Sequence, residues 1–364
     1  MNANTERLHA LGQSLWLDNI TRDMLDDGTL ARYIRELSIT GLTSNPTIFE
    51  HAIGKGSAYD EQIAELARDG RSGEELFLQL ALQDLRRAAD LFRPIHERTG
   101  GVDGWASLEL SPLMVDDAAR SIEAAVRLHA AAARPNLYIK IPGTKAGVEA
   151  IEQSIFAGVP INVTLLFSRE QYLASAEAYL RGIERRIRAG LDPKVDSVAS
   201  LFVSRWDVAV KDRVAPGQRN RLGIAIAQRT YKAYRELLAS PRWRELSAAG
   251  ARPQRLLWAS TGTKDPAAPD TLYIEALAAP DTINTIPDKT LLAYADHGRL
   301  GAPMATDGGD AEAVIAEFRR QGIDVDALAE RLQKEGADAF AKSWKSLLGG
   351  IGEKTSQLAG AASK

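Results

Sequence analysis

Along this chain, apolar runs of strand length recur, each closed by small or polar residues and followed by a segment with the three- and four-residue spacing of a helix face. Eight can be counted: 14–18, 40–45, 105–110, 137–141, 161–167, 198–203, 256–260 and 282–286. Between them, Ile224, Ala227, Tyr231, Tyr234 and Leu238 form one apolar helix stripe, and Leu173, Ala176, Leu180, Ile183 and Ile187 form another. The far side of the second stripe carries Arg181, Arg185, Arg186 and Arg188, which reads as a solvated face. Alternation of strand and helix requires parallel neighbours joined by right-handed crossovers. Eight such units fit an α/β fold of the (β/α)8 barrel type, with additional N-terminal and C-terminal helices, better than an open sheet.

A barrel of this kind takes about 250 residues, whereas the chain has 364. The surplus is expected before Ser14, in long helices near 59–98 and 206–239, the second broken at Pro216-Gly217, and in a C-terminal pair near 310–347. Residues 1–348 therefore read as one barrel domain that includes these C-terminal helices. Residues 349–364, opening with Gly349-Gly350-Ile351-Gly352, read as a flexible or loosely docked tail.

The charge balance is 45 basic against 48 acidic side chains, a net −3. Such a chain lacks the basic field that holds a polyanion, so nucleic acid is not an expected partner. There is no cysteine, which removes disulfides, thiolate metal sites and cysteine nucleophiles and makes the cytoplasm the natural location. No apolar stretch approaches a membrane span, so a membrane partner is not expected either. Gly54-Lys55-Gly56-Ser57 lacks P-loop spacing, the five histidines form no metal-ligand pair, and no G-x-S-x-G occurs.

Lys140 stands out among the strand residues. It lies in Leu137-Tyr138-Ile139-Lys140-Ile141, just before Pro142-Gly143, where a strand buried on both faces would carry an ammonium toward the core. Burial disfavours the charged form of an amine. A neutral lysine is a nucleophile that forms an imine with a ketone, and a protonated imine accepts the electrons of a breaking carbon–carbon bond. The ordinary alternative is a snorkelling or ion-paired side chain.

Active sites of this barrel lie at the carboxyl ends of the strands, so the polar residues there are the candidates. Asp18 follows the first apolar run and would either cap the next helix or move protons. Asn45, held out of helical geometry by Pro46, offers an amide or an Asx turn. Glu109 lies inside an apolar frame and needs a partner or a raised pKa; a buried lysine is such a partner. Asn162 and Thr164 are two apart and share a face. Ser200 and Arg205 on the sixth unit would suit a phosphate, with a surface salt bridge as the alternative for the arginine.

Taken together, Leu17-Asp18-Asn19, Gly41-Leu42-Thr43-Ser44-Asn45-Pro46-Thr47, Ala106-Ser107-Leu108-Glu109, Tyr138-Ile139-Lys140-Ile141-Pro142-Gly143-Thr144, Asn162-Val163-Thr164-Leu165-Leu166-Phe167-Ser168 and Leu257-Trp258-Ala259-Ser260-Thr261 resemble the transaldolase family in its longer bacterial form. The resemblance runs nearly end to end. It implies a class I Schiff-base enzyme that moves a dihydroxyacetone unit between sugar phosphates in the non-oxidative pentose phosphate pathway, without metal or organic cofactor. By position, Lys140 is implied as the Schiff-base lysine, Glu109 as a group acting through a bound water, and Asp18 as the acid/base of carbon–carbon cleavage. Asn45, Asn162, Thr164 and Ser200 would line the site, and Arg205 would hold the substrate phosphate. Ser260 closes the seventh strand. In shorter family members a basic phosphate ligand follows two residues later, but Gly262 stands there and Lys264 comes slightly after. Lys145 and Lys289 compete for the nucleophile role but lie outside apolar strands. A monomer or homodimer is expected. The alternatives are a Schiff-base aldolase on the same barrel and a non-catalytic sugar-phosphate binding protein.

Overall fold

The structure, a computed structural model, describes residues 1–362; residues 363 and 364 of the expected tail lie outside the described residues. All eight expected strands form: β1 (Ser14–Leu17), β2 (Ile39–Leu42), β3 (Ala106–Glu109), β4 (Leu137–Pro142), β5 (Ile161–Leu166), β6 (Ser197–Phe202), β7 (Arg255–Ala259) and β8 (Thr282–Ile286). They pair in parallel in the order β2-β1-β8-β7-β6-β5-β4-β3. The ring closes between β2 and β3, where Leu42 N–H donates to Trp105 O (2.9 Å) and Gly104 N–H to Thr40 O (2.9 Å). Nearly every strand residue is buried, as strands covered by helices outside and side chains inside must be. The fold is a (β/α)8 barrel.

The amino end of the barrel is plugged by aromatic rings. Trp105 stacks on Tyr138 with centroids 4.0 Å apart, and Trp16 lies 6.1 Å from Tyr138. Asp103 fastens this layer by accepting hydrogen bonds from Trp16 Nε1 (2.8 Å) and Ser14 Oγ (2.5 Å). With the lower interior filled, inward residues two positions further along each strand are left for the mouth: Asp18 after Trp16, Glu109 after Ser107, Lys140 after Tyr138.

Two expected long helices are split. The first is Asp60–Arg68 followed by Gly73–Arg98. The second is Ser204–Val210, then a short turn at Pro216–Gln218, then Leu222–Ala239, as the Pro-Gly pair dictates. Of the expected stripe on the helix Arg169–Arg188, Leu173 is exposed, and Tyr172 and Tyr179 take its place in the core. The arginines opposite are less free than a solvated face would leave them. Arg181 and Arg185 both pair with Glu152 (2.6 and 2.9 Å), and Arg186 donates to the carbonyls of Phe156 and Asp192 (both 2.7 Å).

The C-terminal pair consists of Ala311–Arg320 and Val325–Ala362. The second helix runs well past Leu348. Leu332, Phe340, Trp344, Leu347 and Ile351 form its buried stripe, and Lys354 reaches Asp60 (2.6 Å) and donates to Ile53 O (2.9 Å). Among the described residues no helix is long and apolar enough to cross a membrane.

Gly41 sits at the seam that closes the ring. A Cβ there would lie 2.7 Å from the Trp16 ring and 2.8 Å from Trp105 O. Gly41→Ala is therefore expected to destabilise the barrel by about 1–3 kcal/mol through overpacking, read as a lower urea midpoint with an unchanged m-value.

Candidate active site

Strand register decides what meets Lys140. Glu109 on β3 and Asn162 on β5 are its Cα partners on either side, so one layer of the barrel interior holds all three. Lys140 Nζ lies 2.5 Å from Glu109 Oε2 and donates to Ser44 O (2.8 Å). Both partners are nearly removed from solvent, with Lys140 5% and Glu109 4% exposed. Burial pushes the Glu109 carboxyl up against the pull of Lys140, and the nearby Asp18 charge adds to the rise. Thr164 Oγ1 faces the other oxygen, Glu109 Oε1, at 3.4 Å.

Asp18 follows β1 on the same face as Trp16. It does not cap the next helix; Thr21 does, accepting from Met24 N–H. Thr43 donates to Asp18 Oδ1 (2.8 Å), and the Thr43 and Thr285 hydroxyls lie 2.6 Å apart. Since the Thr43 proton is committed to Asp18, Thr285 is the donor in the second contact. Burial raises the Asp18 pKa above the usual carboxylate range, opposed in turn by Lys140, the Thr43 hydroxyl and Lys264.

A polar chain crosses the floor. Ser200 Oγ donates to Asn162 Oδ1 (2.7 Å) and Asn162 Nδ2 to Ser107 Oγ (3.3 Å), so Asn162 is satisfied from both sides and lies beneath the pocket. Asn45 lines the pocket and also caps the helix Pro46–Lys55 through Oδ1, which accepts from Ile48 N–H (3.0 Å). Asn45 thus makes the turn-type bond and borders the cleft as well.

Arg205 opens the helix Ser204–Val210 after β6. No carboxylate pairs with it among the described residues; its guanidinium lies 5.3 Å from the Phe202 ring and 5.9 Å from the Phe340 ring. Burial lowers its pKa, opposed by the charge of Glu335. A half-buried, unpaired cation at a pocket rim is a place for an anion. Ser260 takes φ 55° and shares a hydrogen bond with Ser204 (2.9 Å). The departure at position 262 has a geometric counterpart: the Lys264 ammonium lies 3.6 Å from where a Gly262 Cβ would stand. Lys264 thus reaches back toward the space that the glycine leaves free.

One cleft is lined by Asp18, Asn45, Lys140, Thr164, Ser200, Arg205, Ser260 and Lys264. Lys145 opens the helix Lys145–Phe156 and Lys289 lies in Asp288–His297, both outside the cleft. Sequence reasoning missed Thr43, Phe202, Thr285 and Phe340. Thr43 lies within a quoted run and Thr285 is two residues from buried Ile283 on β8, so period-two alternation would have found both. Phe340 had no local signal. Among the described residues no cluster of His, Cys, Asp and Glu fits a metal.

A buried amine against one carboxylate, with a second carboxylate and an unpaired guanidinium lining the same cleft, is an arrangement able to carry out imine chemistry on a phosphorylated substrate. Comparison with known proteins gives the family. Residues 15–351 match the family described as Transaldolase/Fructose-6-phosphate aldolase. A transaldolase of Parafrankia sp. (strain EAN1pec) is 44% identical over 98% of both chains. One from Thiobacillus denitrificans is also 44% identical, over 96% of this chain and 99% of its own, and transaldolase 1 of Streptomyces coelicolor is 42% identical over 95% and 93%. The chain belongs to the transaldolase/fructose-6-phosphate aldolase family.

Since Thr43 and Lys264 both hold the Asp18 pKa down, Thr43→Val and Lys264→Ala should each raise it further. Carboxyl titration by 13C NMR checks this; an unchanged or lower value in both variants contradicts the electrostatic account.

Proposed function

We propose that Lys140 is the nucleophile of a transaldolase reaction, with Glu109 and Asp18 moving the protons and Arg205 receiving the substrate phosphate. The activity is transfer of a dihydroxyacetone unit from a ketose phosphate, sedoheptulose 7-phosphate or fructose 6-phosphate, to an aldose phosphate, glyceraldehyde 3-phosphate or erythrose 4-phosphate. It belongs to the non-oxidative pentose phosphate pathway. The observation that carries the residue assignment is the 2.5 Å contact of Lys140 Nζ with Glu109 at the floor of a cleft whose rim holds an unpaired arginine.

Passing one proton from Lys140 to Glu109 leaves a neutral amine beside a neutral acid, which avoids two buried charges. The amine attacks the ketose C2 carbonyl. Glu109, through a water that it and Thr164 would both contact, delivers two protons in turn to the C2 oxygen: the one taken from Lys140 gives the carbinolamine, and a second, taken from the carbinolamine nitrogen, releases the hydroxyl as water and leaves the iminium. Asp18 then takes the proton of the C4 hydroxyl. The C3–C4 electron pair moves into the iminium, an aldose phosphate departs, and an enamine remains on Lys140. The enamine attacks the next aldehyde, Asp18 returns its proton to the new hydroxyl, and hydrolysis of the imine frees the product. A water-poor interior keeps the enamine from protonation, which favours transfer over simple cleavage. Ser200, held from beneath by Asn162, would orient the donor hydroxyls, and Asn45 would meet the bound unit from the second strand end. Ser260 and Lys264 would complete the phosphate site.

The protein is read as a monomer or a homodimer, with the cleft lined by residues of this chain. The cysteine-free composition supports a cytoplasmic setting.

Borohydride added with fructose 6-phosphate should leave a reduced three-carbon adduct on Lys140, found by peptide mapping. Lys140→Ala should lose adduct and turnover together, and modification of any other lysine refutes the assignment. Asp18→Asn should lower kcat by roughly a hundred-fold or more, in line with removal of a positioned proton carrier, while changing ketose KM much less. A normal kcat with a large rise in KM speaks against the proton-transfer role.

A further inference from the structure

The backbone just beyond Thr164 is strained. Leu165 takes φ 56°, a left-handed conformation that costs a non-glycine residue on the order of 1–3 kcal/mol. Pairing with β6 slips at the same place: Val163 faces Ala199 but Leu166 faces Leu201, so three steps on β5 span two on β6. This is a bulge with Leu165 as the extra residue. It starts directly after the side chain that meets Glu109. A carbonyl turned out of the ladder by a bulge needs another donor.

The donor comes from the last helix. Gln333 Nε2 donates to Leu165 O and to Gly143 O, both at 3.0 Å, and Gly143 N–H in turn donates to Thr164 O (2.8 Å). One side-chain amide thus ties the ends of β4 and β5 together, three residues after Lys140 and one after Thr164. Three residues further along the helix, Gly336 provides the clearance this needs, since a Cβ there would lie 2.8 Å from Leu165 Cδ2. The helix itself is anchored independently by Phe340, Trp344, Leu347 and Ile351.

We propose that Gln333 is a positioning residue of the reaction: by holding the Leu165 bulge it sets Thr164 against Glu109, and so sets the path by which the proton leaves and rejoins Lys140. The proposal rests on the assignment of Lys140 and Glu109 above. Without the amide donor, Leu165 relaxes toward extended geometry and Thr164 moves with it, while the arginine at the rim stays where the helix after β6 puts it. The effect therefore falls on the chemical step rather than on phosphate binding.

The test compares Gln333→Leu, which keeps bulk without donors, with Gln333→Arg, whose fork offers paired donors to the two carbonyls. Gln333→Leu is expected to lower kcat roughly ten- to a hundred-fold, the range in which a displacement of about an ångström acts. KM for fructose 6-phosphate should stay within about two-fold, the signature of an interaction outside ground-state binding. Borohydride trapping should slow in proportion, with Lys140 still the modified residue, and Gln333→Arg should recover most of the rate. Wild-type kcat in Gln333→Leu overturns the proposal. So does an equal loss in both variants, which marks a purely structural role. Adduct on a different lysine in the unaltered protein overturns instead the assignment on which the proposal rests, and the same mapping run distinguishes the two.

Discussion

Two opposite charges held in the dry interior of a barrel, Lys140 and Glu109, are the constraint around which the rest of this protein is arranged. Taking either out of water alone costs several kcal/mol, and losing one partner of such a pair costs roughly 3–5 kcal/mol. The pair persists because adjacent parallel strands place the two residues side by side in register. Ser44 O accepts from the ammonium and Thr164 faces the other carboxylate oxygen, so the segment after β2 and the strand β5 each supply one further partner to the pair. Asp18 adds a second carboxyl to the same pocket, and burial biases both acids toward their neutral forms. A pocket that sets a buried amine beside two buried carboxyls suits a reaction that makes and breaks an imine.

The pocket is completed by segments far from these strands in sequence. Phe340 on the last helix stands over Arg205, while Phe202 approaches the same guanidinium from β6. Lys264 turns back toward the space that Gly262 leaves open. The last helix is thus part of the working barrel, with Lys354 fastened to Asp60 at its far end.

Much of the frame was legible from local pattern alone. Strands buried on both faces are uniformly apolar, so a charge within one, as at Lys140 or Glu109, has few explanations. Spacing of two put Asn162 and Thr164 on one face, and the structure directs both inward. Asp18 had a bland capping reading and Asn45 a bland Asx-turn reading; Thr21 displaces the first as cap, whereas Asn45 caps its helix and lines the cleft together. The helix breaks were visible in the sequence, Pro216-Gly217 marking one and Asp69-Gly70-Arg71-Ser72-Gly73 the other, where Gly70 and Gly73 both take positive φ. Leu173 illustrates the limit of periodicity, because the helix buries Tyr172 and Tyr179 and leaves Leu173 exposed.

The chain's order of residues by itself determined the eight strand–helix units, the barrel they close into, and the unusual lysine and glutamate within them. These follow from short-range periodicity and from the cost of burying charge. The partnership of Thr43 with Thr285, the rings around Arg205 and the grip of Gln333 on the left-handed Leu165 were decided only by tertiary structure. Each depends on groups tens to hundreds of residues apart meeting at one end of a closed barrel, and no local pattern records which distant side chain will arrive there.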